Sequence, residues 1–568
     1  MNRHGDPGRI RLFRTWNEAD RAICIVSAQG EEYSRARISA LGKAVAGLAG
    51  HAPALIFIEG RNTPAFIAAY VAAMRVGLAV HVLDPARPAD NADLEAGFRP
   101  LAVVATSGDV PQVRVTGLPP ARVHPDLALL LPTSGTTGSS KMARISARAI
   151  AANTSSIIEY LGLTAHDTAI TTLKPFYSFG LSVLNTHLEA CGRIVLNDDG
   201  FESADFWERA ERSGVTNFAG VPHGFELLAT MTPRLQKLTS LRFLAQAGGR
   251  LSPGLVLRFA QVGERQHWHF FAMYGQTEAS PRISYLPPHL AAQFPDSIGQ
   301  PIPGGRLWIA DRDGKPVDEP GIEGELHYAG PNVMSGYAHT ASDLAAMEDM
   351  RTLATGDLAY RLDNGLFVMT GRQSRFVKPF GLRVSLDEIE TLLADEGISA
   401  AATALGERVA ILTVLRDAGK APESVRQALG RRLRLPAGLF EVHATDALPL
   451  LPSEKIDRRA VAAMIAAATA DGPGIAASER GFWHEVWQEF VAILTGRSST
   501  ATCVLDIFLE QFGEHVRQQD DSFLALGGDS MAAVTVAIRL EELLGQLPED
   551  WPAMSVAQLE RLRENQLG

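Results

Sequence analysis

A run of small polar residues between positions 131 and 141 has the residue types and spacing that bind phosphate. Gly135 and Gly138 let backbone N–H groups approach an anion, the Ser and Thr hydroxyls add donors, and Lys141 adds a mobile positive charge. The apolar residues 127–131 predict a strand and residues 147–160 predict a helix, so we expect a strand-to-helix loop. The Walker A pattern is absent. Taken alone, the run would also suit a solvated loop.

Further motifs follow the run in a fixed order. They are YGQTE at 274–278, GEL at 324–326, TGDL at 355–358, GR at 371–372, and LP at 448–449 followed by SEKIDR at 453–458. With the polar run, this ordered set resembles the adenylate-forming enzymes, which include acyl-CoA synthetases, firefly-type luciferases and the adenylation domains of nonribosomal peptide synthetases. The resemblance covers residues 20 to 465.

The resemblance implies an ATP site and assigns residues to it. Tyr274 is expected to pack on adenine and Thr277 to touch the α-phosphate, while Glu278 helps to hold Mg²⁺, a cation that prefers oxygen ligands. Asp357 is expected to accept hydrogen bonds from both ribose hydroxyls, with Arg372 near the same ribose. The residues implied to bind nucleotide are Thr133, Ser134, Gly135, Thr136, Thr137, Gly138, Lys141, Gly249, Tyr274, Gly275, Asp357 and Arg372.

Lys455 requires a separate argument, because a lysine near the end of a subdomain is normally a solvated charge. Within residues 452–458 it resembles the lysine that bridges the carboxylate and the α-phosphate, and we expect it to act with Thr277 and Glu278 in catalysis. The flanking sequence departs from the family at several positions. These are Glu454 and Met142 where Gly is usual, Pro132 where an aromatic is frequent, and Ser374 where Asp or Lys marks the hinge.

Residues 174–182 resemble the segment that forms part of the acid-binding pocket. Many acyl-CoA synthetases have His at the position of Tyr177, and amino-acid-activating relatives have an Asp nearby; this stretch has no carboxylate. Because a buried ammonium without a counter-charge is costly, an acyl or aryl acid is favoured over an amino acid. His223 fits a pocket wall better than a base. The expected pocket residues are Tyr177, Phe179, Gly180, Val221, His223 and Gly248.

The composition is that of a soluble globular protein, with 568 residues, 46% hydrophobic and 21% charged. The polar N-terminus and the absence of a long apolar run favour a cytoplasmic protein with no membrane partner. The net charge of −11 argues against nucleic acid. The three cysteines, Cys24, Cys191 and Cys503, are far apart in sequence, and we expect buried structural thiols.

The tail has a second, independent resemblance. Residues 498–568 contain twelve acidic residues and four arginines, and residues 521–531 (DSFLALGGDSM) resemble the phosphopantetheine site of carrier proteins. Ser530 would be the attachment residue; the alternative is a plain helix N-cap. A linker-like stretch near 466–478 and an amphipathic helix at 479–495 precede this region, and we expect the helix to dock on a neighbour.

These observations predict an α/β protein with four parts. They are a large adenylation subdomain at 1–372 with stacked sheets, a small mobile α+β subdomain at 373–466 with the catalytic lysine, a linker plus amphipathic helix at 467–497, and an all-α four-helix carrier bundle at 498–568. Alternating strand- and helix-like segments before residue 130 indicate βαβ units. By resemblance, Gly381 lines a tunnel for the thiol.

The predicted function is ATP-dependent adenylation of a carboxylic acid, then thioester transfer to the 4′-phosphopantetheine arm on the chain's own Ser530. The cofactors are ATP, Mg²⁺ and the arm. The partners are the small acid, a phosphopantetheinyl transferase, and a downstream acyl-accepting or condensing enzyme acting in trans. Two alternatives stay open, an amino-acid-activating didomain and a non-catalytic nucleotide-binding scaffold.

Overall fold

In the computed structural model, the chain divides into two compact units, Met1–Ser374 with Pro449–Arg459, and Arg375–Leu448 with Ala460–Gly568. The predictions for the amphipathic helix 479–495, for Gly381 and for Ser530 lie outside the described residues. The described residues are 12–13, 16, 19–133, 141–373, 375–377, 379, 384–406, 408–414, 421–433, 435–451, 455–471, 503–512, 520–523, 525–526, 536, 540, 543–544, 547–548 and 550–567.

The first unit is built from large sheets covered by helices. Its strands are β1 (Ile23–Val26), β2 (Glu32–Ser34), β3 (Leu55–Glu59), β4 (Ala79–Leu83), β5 (Ala102–Ala105), β6 (Gln112–Val115), β7 (Leu127–Pro132), β8 (Met142–Ser146), β9 (Thr168–Ile170), β10 (Arg193–Val195), β11 (Asn217–Gly220), β12 (Phe243–Gln246), β13 (His269–Gly275), β14 (Arg282–Tyr285), β15 (Ser297–Pro301), β16 (Arg306–Ala310), β17 (Pro316–Val317), β18 (Gly324–Ala329), β19 (Tyr337–Ala338), β20 (Thr352–Arg361) and β21 (Phe367–Arg372). Its helices are α1 (Arg35–Leu41), α2 (Lys43–Ala46), α3 (Pro64–Val76), α4 (Pro88–Phe98), α5 (Ala147–Leu161), α6 (Ser178–Glu189), α7 (Ala204–Arg212), α8 (Pro222–Thr230), α9 (Thr232–Leu235), α10 (Pro253–Gln266) and α11 (Pro288–Ala291), with 3₁₀ turns at Gly47–His51, Thr277–Ala279 and Ala341–Ala345.

A seven-stranded sheet contains the predicted βαβ units. Its order is β19-β8-β7-β4-β3-β5-β6, with β7, β4, β3 and β5 parallel. Helix α3 packs on it and is apolar almost all round, as expected for a helix buried on several sides. Thr63 caps its N-terminus by accepting a hydrogen bond from the Phe66 N–H. The expected α/β fold with large sheets is confirmed.

A fourteen-stranded sheet, in the order β17-β16-β18-β20-β21-β15-β14-β13-β12-β11-β9-β10-β1-β2, positions most of the motifs. Its strands from β13 to β1 are parallel, whereas β14 and the strands beyond it pair antiparallel. Strand β13 therefore lies where the two halves meet, and residues 274–278 follow at its carboxyl end. Ligands of α/β sheets bind at the carboxyl ends of parallel strands.

The polar run does not join a strand to a helix, and this prediction was wrong. Residues 142–146 form strand β8, which pairs antiparallel with β7, and helix α5 begins only at Ala147. The run therefore joins two strands of one hairpin. The strand escaped prediction because Arg144 interrupts the apolar pattern, although its side chain is buried and its guanidinium is hydrogen-bonded.

The second unit is smaller. Its elements are β22 (Phe376–Val377), β23 (Val384–Ser385), α12 (Leu386–Asp395), β24 (Ser399–Leu405), β25 (Arg408–Val414), α13 (Pro422–Leu433), β26 (Phe440–Thr445), α14 (Arg458–Asp471), α15 (Val504–Phe512) and α16 (Val556–Leu567), with 3₁₀ turns at Ala437–Leu439 and Trp551–Ala553. Strand β25 pairs antiparallel with β24 and parallel with β26, over a core that includes Ile389 and Ile411.

The tail has a hydrophobic cluster of its own. Phe508 on α15 and Leu559 on α16 are fully buried, and the rings of Phe523 and Trp551 lie 5.1 Å apart. These contacts join helices at both ends of the tail; the four-helix arrangement stays a prediction. Among the described helices, none has the length and apolarity needed to cross a membrane.

The cysteines differ from the expectation of three buried thiols. All three are unpaired; Cys24 is buried, whereas Cys191 and Cys503 are partly exposed. The expectation was therefore wrong for two of them.

Candidate functional site

A hydrogen bond to the buried carboxylate of Asp357, on β20, connects that strand to Tyr274 at the end of β13. The phenol of Tyr274 donates to Oδ2 of Asp357 at 2.5 Å, and Nε of Arg372 lies 2.8 Å from Oδ1. Asp357 is 2% exposed, and burial raises its pKa while Arg372 and Tyr274 oppose that rise. Burial also holds the pKa of Tyr274 well above its usual range, so the phenol keeps its proton. Three predicted nucleotide residues thus form one group.

Pairing between β18, β20 and β21 explains why three of the short motifs occur together. Asp357 is directly opposite Arg372 in the β20–β21 ladder. The carboxylate of Glu325 accepts the Gly356 N–H at 3.1 Å, and Thr355 Oγ1 donates to the Leu326 carbonyl at 2.7 Å. The 324–326 motif therefore supports the loop that presents Asp357, although it is not itself at the group.

Lys455 belongs to the first unit, and two backbone hydrogen bonds hold the chain on either side of it. The Leu451 N–H donates to the Lys455 carbonyl at 2.7 Å, and the Asp457 N–H donates to the Pro449 carbonyl at 2.8 Å. The lysine is exposed to solvent on one side, yet desolvation by the surrounding protein lowers its pKa, and the positive charge of Arg372 adds to that effect. The structure thus brings the Lys455 ammonium within electrostatic range of Arg372.

Gly248 connects Lys455 to the predicted pocket loops. Its φ is +89°, and a Cβ there would lie 3.1 Å from Val221 Cγ1 and 3.6 Å from Lys455 Cε. Both the backbone conformation and the space therefore favour glycine. Gly249, next along the chain, packs against Pro222 on α8. Residues 221–222, 248–249 and 455, which are far apart in sequence, are therefore close together in space.

Thr277 and Glu278 follow Gly275 on a 3₁₀ turn. A Cβ on Gly275 would collide with the Pro281 carbonyl oxygen, so a side chain there would force the chain apart. Thr277 Oγ1 lies 3.4 Å from Ser178 Oγ. The two hydroxyls face each other at the start of α6, beside the predicted acid pocket.

Tyr337 is a site residue that the sequence reasoning missed. Its phenol donates to Glu278 Oε1 at 2.9 Å, and the Lys141 ammonium lies 3.4 Å from its ring centre. Thr133 donates to the Lys141 carbonyl through its hydroxyl, which closes the base of the polar run. Only the antiparallel pairing of β19 with β8 brings Tyr337 here, so no local sequence signal indicated it.

The predicted pocket residues fall into separate groups. Phe179 lines a narrow cavity of about 20 Å³, and Gly180 packs on the Lys174 carbonyl one residue further along α6. The ring of Tyr177 contacts that of Phe176. His223 is 55% exposed, lies 3.7 Å from Glu226, and is absent from the cavity lining. The cavity is lined by Ile157, Leu161, Phe179, Ser182, Val183, Thr186, His187, Asn217, Phe218, Ala219, Phe243, Ala245, Met273 and Arg282.

The remaining predicted site residues lie outside the described part of the chain. They are Ser134, Gly135, Thr136, Thr137, Gly138, Gly381 and Ser530.

Comparison with known proteins shows which family the chain resembles. The family model for "AMP-binding enzyme" matches residues 92–338. The indoleacetate–CoA ligase of Aromatoleum aromaticum is 30% identical over 433 residues, which cover 73% of this chain and 80% of that protein. The malpinin synthetase of Mortierella alpina is 27% identical over 78% of this chain, but this chain spans only 6% of its length.

Solved structures give the same fold. The ATP-bound MatB from Rhodopseudomonas palustris superposes with a TM-score of 0.66 at 21% identity, covering 79% of this chain and 97% of that one. The superfamily resemblance seen in the motifs is therefore confirmed, and the α/β architecture with it. The chain belongs to the AMP-binding family of adenylate-forming ligases.

Proposed function

We propose that this protein activates a carboxylic acid as its adenylate with ATP and transfers the acyl group to a phosphopantetheine arm on its own Ser530. In the first step a carboxylate oxygen attacks the α-phosphorus, an O–P bond forms, and the bond to pyrophosphate breaks. In the second step a thiol sulfur attacks the acyl carbon, a thioester forms, and AMP leaves. Neither step requires a nucleophile from the adenylation region.

The observation that most supports adenylation is the position of Lys455 beside Gly248 and Arg372. A lysine whose backbone is held by a hydrogen bond to Leu451 and whose side chain lies near a second cation is difficult to explain as a solvated surface charge. There it can stabilise the negative charge that spreads over the α-phosphate and the attacking carboxylate. Burial lowers the pKa of Lys455, and the nearby positive charge of Arg372 lowers it further.

The Tyr274–Asp357–Arg372 group suits the nucleoside. An ionised carboxylate has about four acceptor positions, so Asp357 can accept from a ribose diol in addition to its two protein donors. Tyr274 offers an aromatic face at the end of β13, where a base can pack. Thr277 and the polar run that ends at Lys141 would contact the phosphates.

The residues near Glu278 fit a magnesium ion that arrives with the nucleotide. Glu278 supplies an oxygen ligand of the kind Mg²⁺ prefers, with Tyr337 orienting the other oxygen. No cluster of three or more His, Cys, Asp or Glu side chains occurs among the described residues, which fits an ion held mainly by phosphates and water. When bound, the ion would neutralise phosphate charge as pyrophosphate departs.

Transfer to Ser530 is supported by the carrier-like tail. The residues around Ser530 resemble a phosphopantetheine site, and the cluster around Phe508 and Leu559 indicates a helical module in the tail. Because the arm is tethered, its thiol reaches an effective concentration of millimolar order, which favours the chain's own carrier over free coenzyme A. Gly381 would line the path of the arm.

An acid without an α-amino group is the favoured substrate. None of the residues lining the cavity behind Phe179 has a carboxylate, so an ammonium there would lack a counter-charge. This observation counts against the amino-acid alternative. The loaded acyl group would pass in trans to an acyl-accepting or condensing enzyme, after a phosphopantetheinyl transferase has installed the arm; the acidic tail suits basic docking surfaces on both.

Intact mass of the pantetheinylated protein after incubation with ATP, Mg²⁺ and a panel of acids tests the proposal. We expect an acid-dependent mass gain on the arm, absent in Ser530→Ala and strongly slowed in Lys455→Ala. Lys237→Ala, an exposed lysine on the protein surface, is the matched control and should load normally. Free acyl-CoA formed equally well by Ser530→Ala would contradict self-loading. Loading unaffected by Lys455→Ala would contradict the assigned site.

A further inference from the structure

Arg282 is a buried cation that the adenylation chemistry does not use. It begins strand β14 and is 3% exposed. Its backbone is held in place because its carbonyl accepts hydrogen bonds from two side-chain amides, those of Asn153 at 3.1 Å and Asn332 at 2.9 Å. The side chain therefore enters the cavity from a rigid strand.

No negative charge compensates Arg282. Among the described residues, no carboxylate lies within ion-pair distance of its guanidinium, and its Nε is buried without a hydrogen-bond partner. The Tyr160 phenol oxygen accepts a hydrogen bond from the Arg282 guanidinium, but burial raises the pKa of Tyr160 to about 12, so that phenol stays neutral and supplies no counter-charge. A buried charge is strongly unfavourable unless it is paired, so an unpaired arginine at this position needs an explanation.

The aromatic neighbour satisfies the guanidinium only in part. Its central carbon lies 4.7 Å from the ring centre of Phe179, a cation–π contact that uses the face of the group. The N–H donors lie in the plane of a guanidinium and form the fork that fits a carboxylate. Stacking on Phe179 uses no N–H donor and Tyr160 accepts from the group, which leaves the buried Nε–H without a partner and available to an acceptor in the cavity.

The cavity has one cation among its described lining residues. His187 also lines it, but burial lowers the pKa of His187, and its Nδ1 is bonded to the Val183 carbonyl at 2.9 Å. The ring is therefore neutral at ordinary pH and does not share the role of Arg282. The cavity, about 20 Å³, is close to the space that one water or one small polar group fills.

The cavity adjoins the place where the acid reacts. Phe179 follows Ser178, whose hydroxyl lies 3.4 Å from that of Thr277. A short acid with its reacting carboxylate near Thr277 and Lys455 would therefore extend past Phe179 toward Arg282. We propose that the acid activated by this protein has a second carboxylate, which pairs with Arg282. This inference rests on the proposed adenylation and specifies its substrate class as a dicarboxylic acid.

The test is acid-dependent exchange of pyrophosphate into ATP by the full chain, which needs neither the arm nor Ser530. Acids are compared in pairs that differ only in the second carboxylate, such as pentanoate with glutarate, and benzoate with each benzenedicarboxylate. We expect kcat/KM for at least one diacid to exceed that of its monoacid partner by about 100-fold, near the upper end of what hydrogen bonds to charged groups contribute.

Variants at Arg282 separate recognition from folding. Arg282→Met should lose about 100-fold in kcat/KM for the diacid while its monoacid activity stays the same or rises, and Arg282→Lys should recover part of the loss. Without acid, the thermal unfolding midpoint of Arg282→Met should be unchanged or higher, because an uncompensated buried charge has been removed. A structural arginine would instead lower that midpoint.

The outcomes distinguish the two proposals. Monoacids that exchange as well as diacids, with Arg282→Met unchanged, would overturn the dicarboxylate inference and leave adenylation intact. A preference for diacids that survives in Arg282→Met would also overturn it, since the second carboxylate would bind elsewhere. No exchange with any acid would overturn the proposed adenylation, and the inference would fall with it.

Discussion

Tyr274 and Asp357 share a hydrogen bond of 2.5 Å between residues 83 positions apart, and this contact joins the parallel half of the large sheet to its antiparallel half. Arg372 completes the group from the strand opposite Asp357. The nucleoside position that we propose thus depends on side chains from three strands, β13, β20 and β21, which come together at one place in the sheet.

Removing the Tyr274 hydroxyl should weaken nucleotide binding. In Tyr274→Phe, Asp357 loses a donor while staying buried, and we expect the KM for ATP to rise about tenfold, which corresponds to one hydrogen bond to a charged group. Pyrophosphate exchange at varied ATP measures this. Tyr70→Phe is the control, because Tyr70 is also fully buried and donates to Asn185 at 2.9 Å far along the chain from the site motifs. An equal rise in both variants would indicate a general loss of stability.

Tyr337 should affect the Mg²⁺ dependence of adenylation, because its phenol donates to Glu278. Tyr337→Phe removes the donor that orients this carboxylate, so we expect the Mg²⁺ concentration for half-maximal adenylation to rise about tenfold, the effect typical of outer-shell partners of metal ligands. Tyr33→Phe is a matched control, since Tyr33 donates to Glu31 at 2.6 Å in a comparable phenol–carboxylate pair. A normal Mg²⁺ dependence in Tyr337→Phe would contradict the assignment of Glu278 to the ion.

Gly248→Ala should disturb Lys455 by crowding. The new Cβ would lie 3.1 Å from Val221 and 3.6 Å from Lys455 Cε on a backbone with φ of +89°. Gly314→Ala isolates the backbone strain, because Gly314 has φ of +78° and a Cβ added there would have no atom within 4 Å. Each variant should lose about 1 kcal/mol from the strained backbone. Only Gly248→Ala should also slow adenylation, and equal rates in the two variants would contradict the crowding argument.

The pH dependence of adenylation should reveal Lys455. Because desolvation and Arg372 lower its pKa below the ordinary 10.5, Lys455 loses its proton earlier than a solvated lysine as pH rises. The charged form is the active one, so kcat/KM for ATP, which reports the free enzyme, should fall on the alkaline side with an apparent pKa below 10.5. Lys455→Arg should move this limb upward, since arginine stays protonated. If the alkaline fall in kcat/KM stays at the same pH in Lys455→Arg, it reports the titration of a group other than Lys455.

The ordered motifs were enough to identify the ligase family, and the apolar patterns were enough to place several of its elements. The strand 127–131, the helix beginning at residue 147 and the βαβ alternation were readable, because the periodicity of apolar residues reports which face of an element is buried. The resemblance to the family also singled out Tyr274, Thr277, Glu278, Asp357, Arg372 and Lys455, whose roles stay predictions.

Tertiary structure decided what those residues contact. Strand β8 was missed because a buried arginine breaks the apolar pattern, and Tyr337 was missed because a strand pairing with β8 brings it to Glu278. Arg282 looks in sequence like any surface arginine; only the packing of β14 against Phe179 and the neutral phenol of Tyr160 shows that its charge is buried and uncompensated. Local patterns specify elements, whereas register, burial and the pairing of charges arise from contacts between residues distant in sequence.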